Sequence, residues 1–505
     1  MLVIIIMSMR QQLLALLCLI QHAKPFLHGR RIAPAAIAVA HLERTESSQS
    51  TSTLSSSTET DICTGFYVHI PYCRRRCRYC DFAIVPIGSD SNARQTDGFL
   101  LMDAQYRKAL LQEIAELPHT TIKNDRKRAL SSIYFGGGTP SLAPPETIKA
   151  VLDAIRKRFH VDDENVEITM EMDPGTFDEE QLRKLAGMGI NRISLGVQAL
   201  DDAVLEQIGR VHRVQDIYDA IQLLQRVFVD DHTKQQRNQQ QTIKNTNNFS
   251  IDLISGLPGV SLAAWADTLE TTVHTLQPNH ISIYDLQIEK GTVFGKWYDD
   301  VDGSILTPTE ASISSKPRLL LPSPDDCGYM YRYASGYLRN EGFEHYEISS
   351  YARDGKRSCH NQVYWGYDSE WFAIGLGSTS FLNHHRYARP RAMSDYIDWV
   401  RRQAAEPVWL QEVDSNSTMA RQDPGRLADI VLTRLRTIDG LDTDWLKLAY
   451  GEEAVRAVLK GAQLALDLGL ANIENQILSL KDPQGFLFSN SILSSIFVEL
   501  PNTEE

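Results

Sequence analysis

Several features are scarce in this chain of 505 residues. Glycine (30) and proline (20) are few against 43% hydrophobic residues, which excludes a collagen-like chain and one too polar to form a core. Lysine and arginine number 51 against 64 aspartates and glutamates, so no basic surplus exists to neutralise nucleic acid phosphates. The longer apolar run near the start, residues 13–20, has eight residues, whereas a membrane-spanning helix needs about 20. We therefore predict a folded protein with no permanent membrane span and no nucleic acid partner.

Cysteine is also scarce, and its distribution is uneven. Seven cysteines occur, and three of them, Cys73, Cys77 and Cys80, lie within eight residues. An odd number so unevenly spread is a poor basis for a disulfide framework. In a large chain, such a group of thiols is more typical of a metal or cluster site in a reducing compartment.

The first 42 residues lack aspartate and glutamate but contain four basic residues and two short apolar runs, a composition typical of targeting sequences. Residues 45–60 include twelve serines or threonines, which favour a flexible spacer. We interpret residues 1–60 as an organellar presequence followed by this spacer. A mitochondrion is the favoured destination, and a two-part plastid signal is the alternative. A secretory signal is a further alternative that the grouped thiols disfavour.

From residue 65 onward, strand-like apolar runs alternate with amphipathic helical stretches, which predicts an α/β domain with a parallel sheet. The strand candidates are residues 66–70, 132–135, 166–170, 192–195, 250–254 and 280–284. The helix candidates are residues 98–117, 145–158, 178–186, 201–207, 214–227 and 262–276. Six such units favour a partial or complete TIM-like β/α barrel, with a doubly wound sheet as the alternative. Functional residues are then expected at the carboxyl ends of the strands.

The predicted domains follow from this pattern. Residues 61–300 are assigned to the barrel, with a Gln/Asn-rich insertion at about 230–248 that is predicted to be disordered. Residues 301–410 form an extension, in which a Ser/Pro-rich stretch is expected to loop out before a helix that begins near Cys327. Residues 420–505, with helical patterns at 426–436, 451–468 and 485–500, predict a small C-terminal helical or winged module.

The motif Cys73-Arg-Arg-Arg-Cys77-Arg-Tyr-Cys80 directly follows the first strand candidate. A four-iron cluster is ordinarily closed by four cysteines, so three cysteines leave one iron open to an exogenous ligand. The neighbouring arginines are expected to favour the thiolate forms by charge proximity. The alternative is a zinc site with a distant fourth ligand, such as His69 or Cys63.

The C-x3-C-x2-C spacing resembles that of the radical SAM superfamily. The resemblance implies that the three cysteines hold a [4Fe-4S] cluster, whose open iron binds the amino and carboxylate groups of S-adenosylmethionine (SAM). Reductive cleavage of SAM then gives a 5′-deoxyadenosyl radical in that superfamily. The segment Gly136-Gly137-Gly138-Thr139-Pro140 follows the second strand candidate and is similar to the superfamily's loop for the SAM amino group. Glycines in such a loop let the backbone approach a ligand closely.

Further motifs follow in the order found in the family, and the resemblance implies a SAM contact for each. Tyr67 is expected near the cluster and SAM, and Glu171, at the end of its strand, is expected to contact SAM. Gln198 is expected on the ribose side, Arg210 on the methionine carboxylate and Asp252 on the adenosyl hydroxyls. These roles agree with the chemistry of the side chains, because carboxylates and amides bond diols and an arginine fork suits a carboxylate.

Within the superfamily, the motifs from residue 67 to beyond residue 370 resemble the HemN and HemW family, which contains oxygen-independent coproporphyrinogen III oxidases and heme chaperones. The oxidases usually continue the cysteine motif as C-x3-C-x2-C-x-C, whereas Phe82 stands at the position of that fourth cysteine. The segment His360-Asn361-Gln-Val-Tyr364-Trp365 matches the H-N-x-x-Y-W element of the chaperone branch. We therefore expect a heme chaperone with a [4Fe-4S] cluster and SAM.

A heme carrier needs an iron ligand and an apolar platform, and His360 with Tyr364 and Trp365 is the candidate for both. The alternative is that His360 braces a turn and the aromatic residues fill the core. The expected partners are heme, client hemoproteins, an electron donor and a second copy of the chain in a homodimer. Two other functions stay open. One is an oxidase that makes protoporphyrinogen IX by radical SAM chemistry, and the other is an iron–sulfur regulatory or interaction protein without turnover.

Overall fold

The structure is a computed structural model, and it describes residues 64–90, 92–118, 127–228, 248–298, 319–367, 369–403 and 424–500. The predicted presequence and spacer at 1–60 lie outside the described residues. So do nearly all of the predicted insertion at 230–248 and the first part of the Ser/Pro-rich stretch. Cys63, one of the two alternative zinc ligands, lies outside them as well.

The described residues form strands and helices that alternate along most of the chain. The strands are β1 (Thr64–Ile70), β2 (Tyr72–Cys73), β3 (Val85–Pro86), β4 (Ala129–Leu130), β5 (Ser132–Gly137), β6 (His160–Val161), β7 (Glu167–Met172), β8 (Arg192–Gln198), β9 (Phe249–Ser255), β10 (His280–Asp285), β11 (Glu344–Glu347), β12 (Ser350–Ala352), β13 (Glu370–Ile374), β14 (Thr379–Leu382), β15 (His385–Ala388), β16 (Leu441–Asp442), β17 (Ala471–Glu474) and β18 (Ile477–Leu480). The α-helices are α1 (Asp97–Glu116), α2 (Pro145–Arg158), α3 (Glu179–Gly187), α4 (Asp202–Ile208), α5 (Val214–Phe228), α6 (Leu262–Thr271), α7 (Val293–Trp297), α8 (Pro324–Asn340), α9 (Cys359–Trp365), α10 (Met393–Gln403), α11 (Pro424–Arg434), α12 (Thr443–Asp467), α13 (Gln484–Leu487) and α14 (Ser489–Glu499).

One sheet of eleven strands organises the fold, in the order β11-β12-β10-β9-β8-β7-β5-β1-β13-β14-β15. Its central strands β1, β5, β7, β8, β9 and β10 follow one another in chain order, each parallel to the one before and always added on the same side. The short strands β2, β3, β4 and β6 form two separate pairs. A doubly wound sheet would reverse direction, so the predicted TIM-like barrel is confirmed over its alternative. Within the described residues no ladder joins β11 to β15, and the barrel is therefore partial.

The two faces of the parallel strands differ in polarity. Residues of one face, such as Phe66, Val68 and Phe135, are fully buried and belong to the same apolar core as Leu152 of α2. The alternate residues on the opposite face are largely polar, because side chains alternate along a strand with a period of two. Examples are Tyr67, Tyr134, Glu171, Ser194 and Asp252. The sheet therefore has an apolar side toward the helices and a polar inner side.

Local sequence signals explain where several helices begin. The side chains of Asp178, Asp201 and Ser261 each accept a hydrogen bond from a main-chain N–H of the first turn of α3, α4 and α6. Such caps satisfy N–H groups that have no partner within the helix. Ser323 and Asp326 form a reciprocal capping box at the start of α8, close to the predicted start near Cys327.

The C-terminal residues build a second apolar core, to which Tyr331 of α8 also belongs. A small sheet, β16-β18-β17, packs with α11, α12 and α14 around Leu435, Val458 and Ile496. The predicted helix from residue 451 coincides with a break in α12, where Gly451 has a φ of +86° that only glycine adopts readily. Among the described residues, no helix combines the length and the apolar character that crossing a membrane requires.

Candidate functional site

The three cysteines lie in a loop that follows β1, here called the cysteine loop (residues 71–88). Cys73 belongs to β2, which pairs with β3 at the other end of the loop. The main-chain N–H of Ile87 donates to the carbonyl oxygen of Cys73 at 2.8 Å, and that of Cys80 donates to the carbonyl oxygen of Cys77 at 3.2 Å. The loop therefore closes on itself, with three half-buried thiols and no disulfide among them.

The arginines of the cysteine loop bind main-chain carbonyl groups. Arg75 and Arg78 donate to carbonyl oxygens at the end of α4, at 2.7 and 2.6 Å. Arg74 donates to the turn that follows β7, at 2.5 Å, and Arg76 donates to the carbonyl oxygen of Phe82 at 2.8 Å. These contacts fasten the loop to the barrel, which is a positioning role that its sequence alone does not reveal.

The predicted effect of arginine charge on the thiols is present at Cys80 but not at Cys73, and burial outweighs it. Burial raises the pKa of both thiols above the ordinary value, for Cys80 to about 11. The charges of Arg76 and Arg210 lower the pKa of Cys80 but do not offset the effect of burial. Only the thiolate binds iron, so cluster formation must displace these protons.

Of the two alternative zinc ligands, Cys63 lies outside the described residues and His69 takes part in two hydrogen bonds. Both ring nitrogens of His69 are engaged, Nδ1 with the Tyr67 hydroxyl at 3.2 Å and Nε2 with the carbonyl oxygen of Ala83 at 2.8 Å. Over the part of the chain that the structure describes, no three His, Cys, Asp or Glu side chains are grouped to hold one metal ion. In a four-iron cluster each thiolate binds a different iron, so three thiols spread around one loop fit that group.

The glycine segment at the end of β5 lies directly against the cysteine loop. A Cβ atom on Gly137, whose φ is +114°, would lie 2.4 Å from the ring of His69. On Gly138 it would lie 2.7 Å from the carbonyl group of Pro71. Thr139 follows, with its hydroxyl 3.7 Å from the sulfur of Cys73. The absence of side chains therefore permits this close approach, while the role of residues 136–139 toward the SAM amino group stays a prediction.

Glu171 lies near the carboxyl end of β7 and accepts two hydrogen bonds. The Tyr134 hydroxyl donates to its Oε1 at 2.9 Å, and the N–H of Gly137 donates to its Oε2 at 3.0 Å. Burial raises the pKa of Glu171 to about 7, and the nearby carboxylates of Asp252 and Asp173 act in the same direction. This side chain therefore changes protonation near neutral pH.

Asp173 connects the predicted residues, although the sequence analysis did not single it out. Its carboxylate forms an ion pair with Arg210 and accepts a hydrogen bond from the Thr139 hydroxyl at 2.9 Å. It lies two residues after Glu171, and the period of a strand places both on the same side of the chain. This two-residue spacing from Glu171 is the signal in the sequence that points to Asp173.

Arg210 is buried and lies between Asp173 and the cysteine loop. It donates to the carbonyl oxygen of Gly196 at 2.9 Å, and its Nη1 lies 3.7 Å from the sulfur of Cys77. Gln198, at an irregularity of β8, has a φ of +69°. A Cβ atom on Gly196 would lie 2.8 Å from Oδ1 of Asp173 and 2.9 Å from Nε2 of Gln198. The side chains of Asp173, Gln198 and Arg210 therefore meet at the position of Gly196, at the carboxyl edge of the sheet.

Asp252 of β9 lies on the same polar inner side. The Ser194 hydroxyl donates to its Oδ2 at 2.8 Å, and burial raises its pKa. Its charge also acts on Tyr134 and Glu171, which face the same interior. The predicted SAM residues thus come from β1, β5, β7, β8 and β9 or the ends of these strands, except Arg210, which follows α4. Side chains from several strands meet in this way in a barrel.

His360, the candidate heme ligand, is buried at the start of α9. Its Nδ1 bonds the Ser132 hydroxyl at 2.9 Å and its Nε2 bonds the Tyr364 hydroxyl at 2.8 Å. Its ring stacks on Tyr134 with 4.9 Å between centroids, and Tyr67 lies beyond at 6.4 Å. Burial lowers the pKa of His360 to about 3, so the ring is neutral. Ligation of heme iron by His360 stays a prediction, and it requires one of these two hydrogen bonds to open.

The residues present therefore fit a [4Fe-4S] cluster and SAM. The thiols, the buried arginine and the buried carboxylates supply donors for iron, for a carboxylate and for hydroxyl groups. The space between Asp173, Gln198 and Arg210 is one that a Cβ at Gly196 would partly fill.

His345 is a second buried histidine, and it lies apart from this site near the C-terminal module. Its Nδ1 is bonded to Asp482 at 2.6 Å, and its buried Nε2 has no hydrogen-bond partner.

Comparisons with known proteins support this interpretation. Residues 67–271 match the model of the Radical SAM superfamily. The chain is 32% identical over 454 residues to a heme chaperone HemW of Synechocystis sp., which covers 86% of this chain and 97% of that protein. It is 31% identical over 349 residues to the mitochondrial radical S-adenosyl methionine domain-containing protein 1 of Bos taurus. This match covers 69% of the present chain and 66% of the bovine protein.

Among solved structures, the coproporphyrinogen III oxidase HemN of Escherichia coli matches with a TM-score of 0.64, over 87% of this chain and 91% of that one. Its sequence identity is 19%, so this likeness concerns the fold. The partial barrel, the cysteine loop and the near full-length likeness to a HemW protein agree with one another. This chain belongs to the radical SAM superfamily and, within it, to the family of HemW- and HemN-like proteins.

Proposed function

We propose that this protein is a heme chaperone of the HemW type, which binds heme and transfers it to hemoproteins. The observation that carries this proposal is the 32% identity to the Synechocystis heme chaperone over 97% of that protein's length. Phe82, which is 48% exposed, stands where the oxidase motif has a fourth cysteine, so the chain departs from the oxidase motif at this position. The H-N-x-x-Y-W element, which forms α9, gives further support.

We further propose that the protein holds a [4Fe-4S] cluster and SAM at the carboxyl edge of its barrel. Such a pair supplies one-electron chemistry when bound. Arg210, held by Asp173, would present a charged fork to the methionine carboxylate, and Asp252 would accept hydrogen bonds from hydroxyl groups of the nucleoside. The proposed cluster ligands are Cys73, Cys77 and Cys80, and the proposed SAM contacts are Tyr67, Gly136, Gly137, Gly138, Thr139, Glu171, Gln198, Arg210 and Asp252.

We propose that His360 binds heme iron, which requires that one of its hydrogen bonds be broken. The neutral imidazole is the form that binds a metal, and burial keeps His360 neutral. Its Nε2 must first leave the Tyr364 hydroxyl, which is 2.8 Å away. The neighbouring rings of Tyr134 and Tyr364 supply aromatic surface on two sides of the imidazole.

A hemin titration of the full chain tests this function. We expect saturable binding near one heme per chain, followed by the Soret absorbance, and transfer of that heme to apomyoglobin as the acceptor. His360→Ala should shift or abolish the Soret band. His274→Ala, which removes an exposed histidine elsewhere in the chain, is the control and should leave the band unchanged. Absence of saturable heme binding by the unaltered chain would contradict the chaperone and favour the regulatory alternative. Unchanged spectra for His360→Ala would contradict only the ligand assignment.

We propose that residues 1–60 direct the protein to mitochondria, with the plastid as the competing destination. The acid-free start of the chain and the mitochondrial relatives of Bos taurus and Mus musculus support this proposal. A fusion of residues 1–60 to a fluorescent protein should accumulate in mitochondria, and the chain beginning at residue 61 should not. Accumulation of the fusion in plastids or in the secretory pathway would contradict it.

A further inference from the structure

Tyr329, Tyr333 and Tyr337, here called the tyrosine row, lie along one face of α8. They follow one another at intervals of four residues, and residues four apart are neighbours on a helix surface. Their rings are nearly parallel, with successive centroids 6.3 and 6.0 Å apart. Parallel rings at such separations are offset, so each ring leaves part of its face uncovered. Tyr329 is 49% exposed, and the other two rings are half-buried.

Open space borders the tyrosine row. Gly336 lies three residues after Tyr333 and therefore on the same side of the helix. A Cβ atom on Gly336 would meet no other atom within 4 Å. Glycine is a poor helix former, and here neither close packing nor a positive φ calls for it. It leaves room beside the rings for the main chain of an incoming peptide.

Two carboxylates lie near the end of the tyrosine row. Burial and the charges of Glu341 and Glu270 raise the pKa of Tyr337, so both carboxylates act on this hydroxyl group. Oε2 of Glu341 lies 3.8 Å from Nε2 of His274, which also bonds the Tyr337 hydroxyl at 3.1 Å. Over the part of the chain that the structure describes, neither carboxylate forms an ion pair with an arginine or a lysine.

The arginines of α8 do not neutralise these two carboxylates. Arg339 is paired with Asp482 at 3.2 Å. Arg332 lies over Gly328, where its Nη1 is 3.4 Å from the position that a Cβ atom would take. The tyrosine row therefore ends beside two carboxylates that no cation of its own helix balances. Such a surface attracts a cationic partner.

The spacing of the rings matches the repeat of an extended peptide. An extended chain rises about 3.2–3.4 Å per residue, so side chains on one of its faces repeat every ~6.4–6.8 Å. The ring centroids of the tyrosine row are 6.3 and 6.0 Å apart, which is close to this repeat. Arginine suits such rings better than lysine, because its planar guanidinium group stacks on aromatic faces and also pairs with carboxylates.

We propose that the tyrosine row, with Glu270 and Glu341, is the docking site of an extended, basic segment of a partner protein in which arginines stand at alternate positions. Alternate side chains of this segment would lie over successive rings, and its main chain would pass beside Gly336. The arginine nearest the end of the row would pair with the carboxylates. This inference does not depend on the proposed function, since its residues are separate from the proposed cluster, SAM and heme ligands.

Fluorescence anisotropy of short labelled peptides, titrated with the full chain, tests the docking site. One peptide alternates arginine with threonine. The others have the same length and either replace arginine by lysine, replace it by glutamate, or place all the arginines together. We expect the alternating arginine peptide to bind most tightly and the glutamate peptide not to bind. Absence of binding by the alternating arginine peptide would overturn the proposal, and so would equal affinity for the lysine peptide or for the grouped arginines.

Substitutions in the tyrosine row locate the binding site on the chain. Tyr329→Ser and Tyr333→Ser should each weaken binding of the alternating arginine peptide about two- to fivefold, as expected for a cation over an exposed ring. Tyr218→Ser, at a half-buried position of α5, is the matched control and should bind as the unaltered chain does. Equal affinity in all three variants would show that the peptide binds elsewhere and overturn the site.

Gly336→Gln fills the open space without removing a ring, and glutamine favours a helix more than glycine does. Peptide binding should fall severalfold while the thermal unfolding temperature does not fall. Unchanged binding in this variant would overturn the proposed path of the segment.

Glu270→Gln should weaken binding and reduce its dependence on salt, because one of the paired charges is lost. Glu453→Gln, at an exposed position of α12, is the control and should change neither. Sedimentation of the unaltered chain tests the competing occupant. A dimer that Tyr329→Ser dissociates would identify a second copy of this chain on the tyrosine row and overturn the partner segment.

Discussion

Nη1 of Arg210 lies 3.7 Å from the sulfur of Cys77, although the two residues are 133 positions apart in the chain. The same guanidinium group pairs with Asp173 through its other amino group. Arg210 thus connects the cysteine loop to the carboxylates at the ends of the strands. This contact brings the proposed cluster ligands next to the proposed SAM contacts.

Replacing Arg210 should weaken SAM binding without emptying the cluster. Arg210→Ala should reduce SAM affinity about 10- to 100-fold, since hydrogen bonds to charged groups contribute about 1.5–3 kcal/mol each. Arg210→Lys should recover only part of the loss, because an ammonium group cannot donate the two parallel hydrogen bonds that a guanidinium group gives to a carboxylate. Calorimetric SAM binding and analysis of iron and sulfide check this, with Arg183→Ala, at an exposed position of α3, as the control. Unchanged SAM affinity in Arg210→Ala would refute the assigned contact.

Loss of a single cysteine of the loop should prevent cluster assembly. Cys77→Ala leaves two thiols, too few to retain four iron atoms, so the visible absorbance of the reconstituted protein should disappear. Cys327→Ala provides the matched control, because this half-buried thiol lies outside the cysteine loop. Iron and sulfide content equal to that of the unaltered chain in Cys77→Ala would show that the ligand assignment is wrong.

Glu171 should make the free energy of unfolding depend on pH. Its pKa is raised from 4.5 to about 7 in the folded protein, so the folded state keeps a proton that the unfolded state has already released. The free energy of unfolding must therefore fall by up to about 3 kcal/mol as pH rises from about 4.5 to 7. Above pH 7 this contribution is constant. Denaturant titrations at several pH values should show a smaller decline for Glu171→Gln. Parallel pH profiles for the two proteins would be evidence against a raised pKa.

Tyr364 should compete with heme iron for His360. If Nε2 is the iron ligand, Tyr364→Phe removes the hydrogen bond that occupies it and leaves the ring packing in place. Heme affinity should then rise about two- to tenfold, because a typical hydrogen bond contributes about 0.5–1.5 kcal/mol. Tyr367→Phe is the control, because the Tyr367 hydroxyl accepts a hydrogen bond from the main-chain N–H of Asp442 and not from His360. Equal heme affinity in Tyr364→Phe and the unaltered chain would exclude Nε2 of His360 as the ligand.

Much of the barrel could be predicted because its signals are local. The six strand candidates overlap β1, β5, β7, β8, β9 and β10, since apolar residues alternate with polar ones over each run. The end of β5 was missed, because Gly136 and Gly137 are poor strand formers that pair here with His69 and Ile70. The strand β13 was also missed, since its place on the far side of β1 is set by packing distant in sequence.

The site was predictable in its residue types but not in its partners. The spacing of the cysteines identified the loop, but it did not show that the neighbouring arginines bind carbonyl groups of α4 and the turn after β7. His360 was singled out from its motif, whereas its bond to Ser132 joins residues 228 positions apart. Such contacts depend on the assembled sheet, so no local pattern in the sequence encodes them.

Anaerobic product analysis tests the central proposal most directly. The reconstituted, reduced protein would be given SAM and coproporphyrinogen III, and 5′-deoxyadenosine and protoporphyrinogen IX would be measured together. A heme chaperone of the HemW type should form no protoporphyrinogen IX under these conditions, while the same preparation binds hemin near one per chain. Formation of protoporphyrinogen IX together with 5′-deoxyadenosine would contradict the chaperone and establish the oxidase.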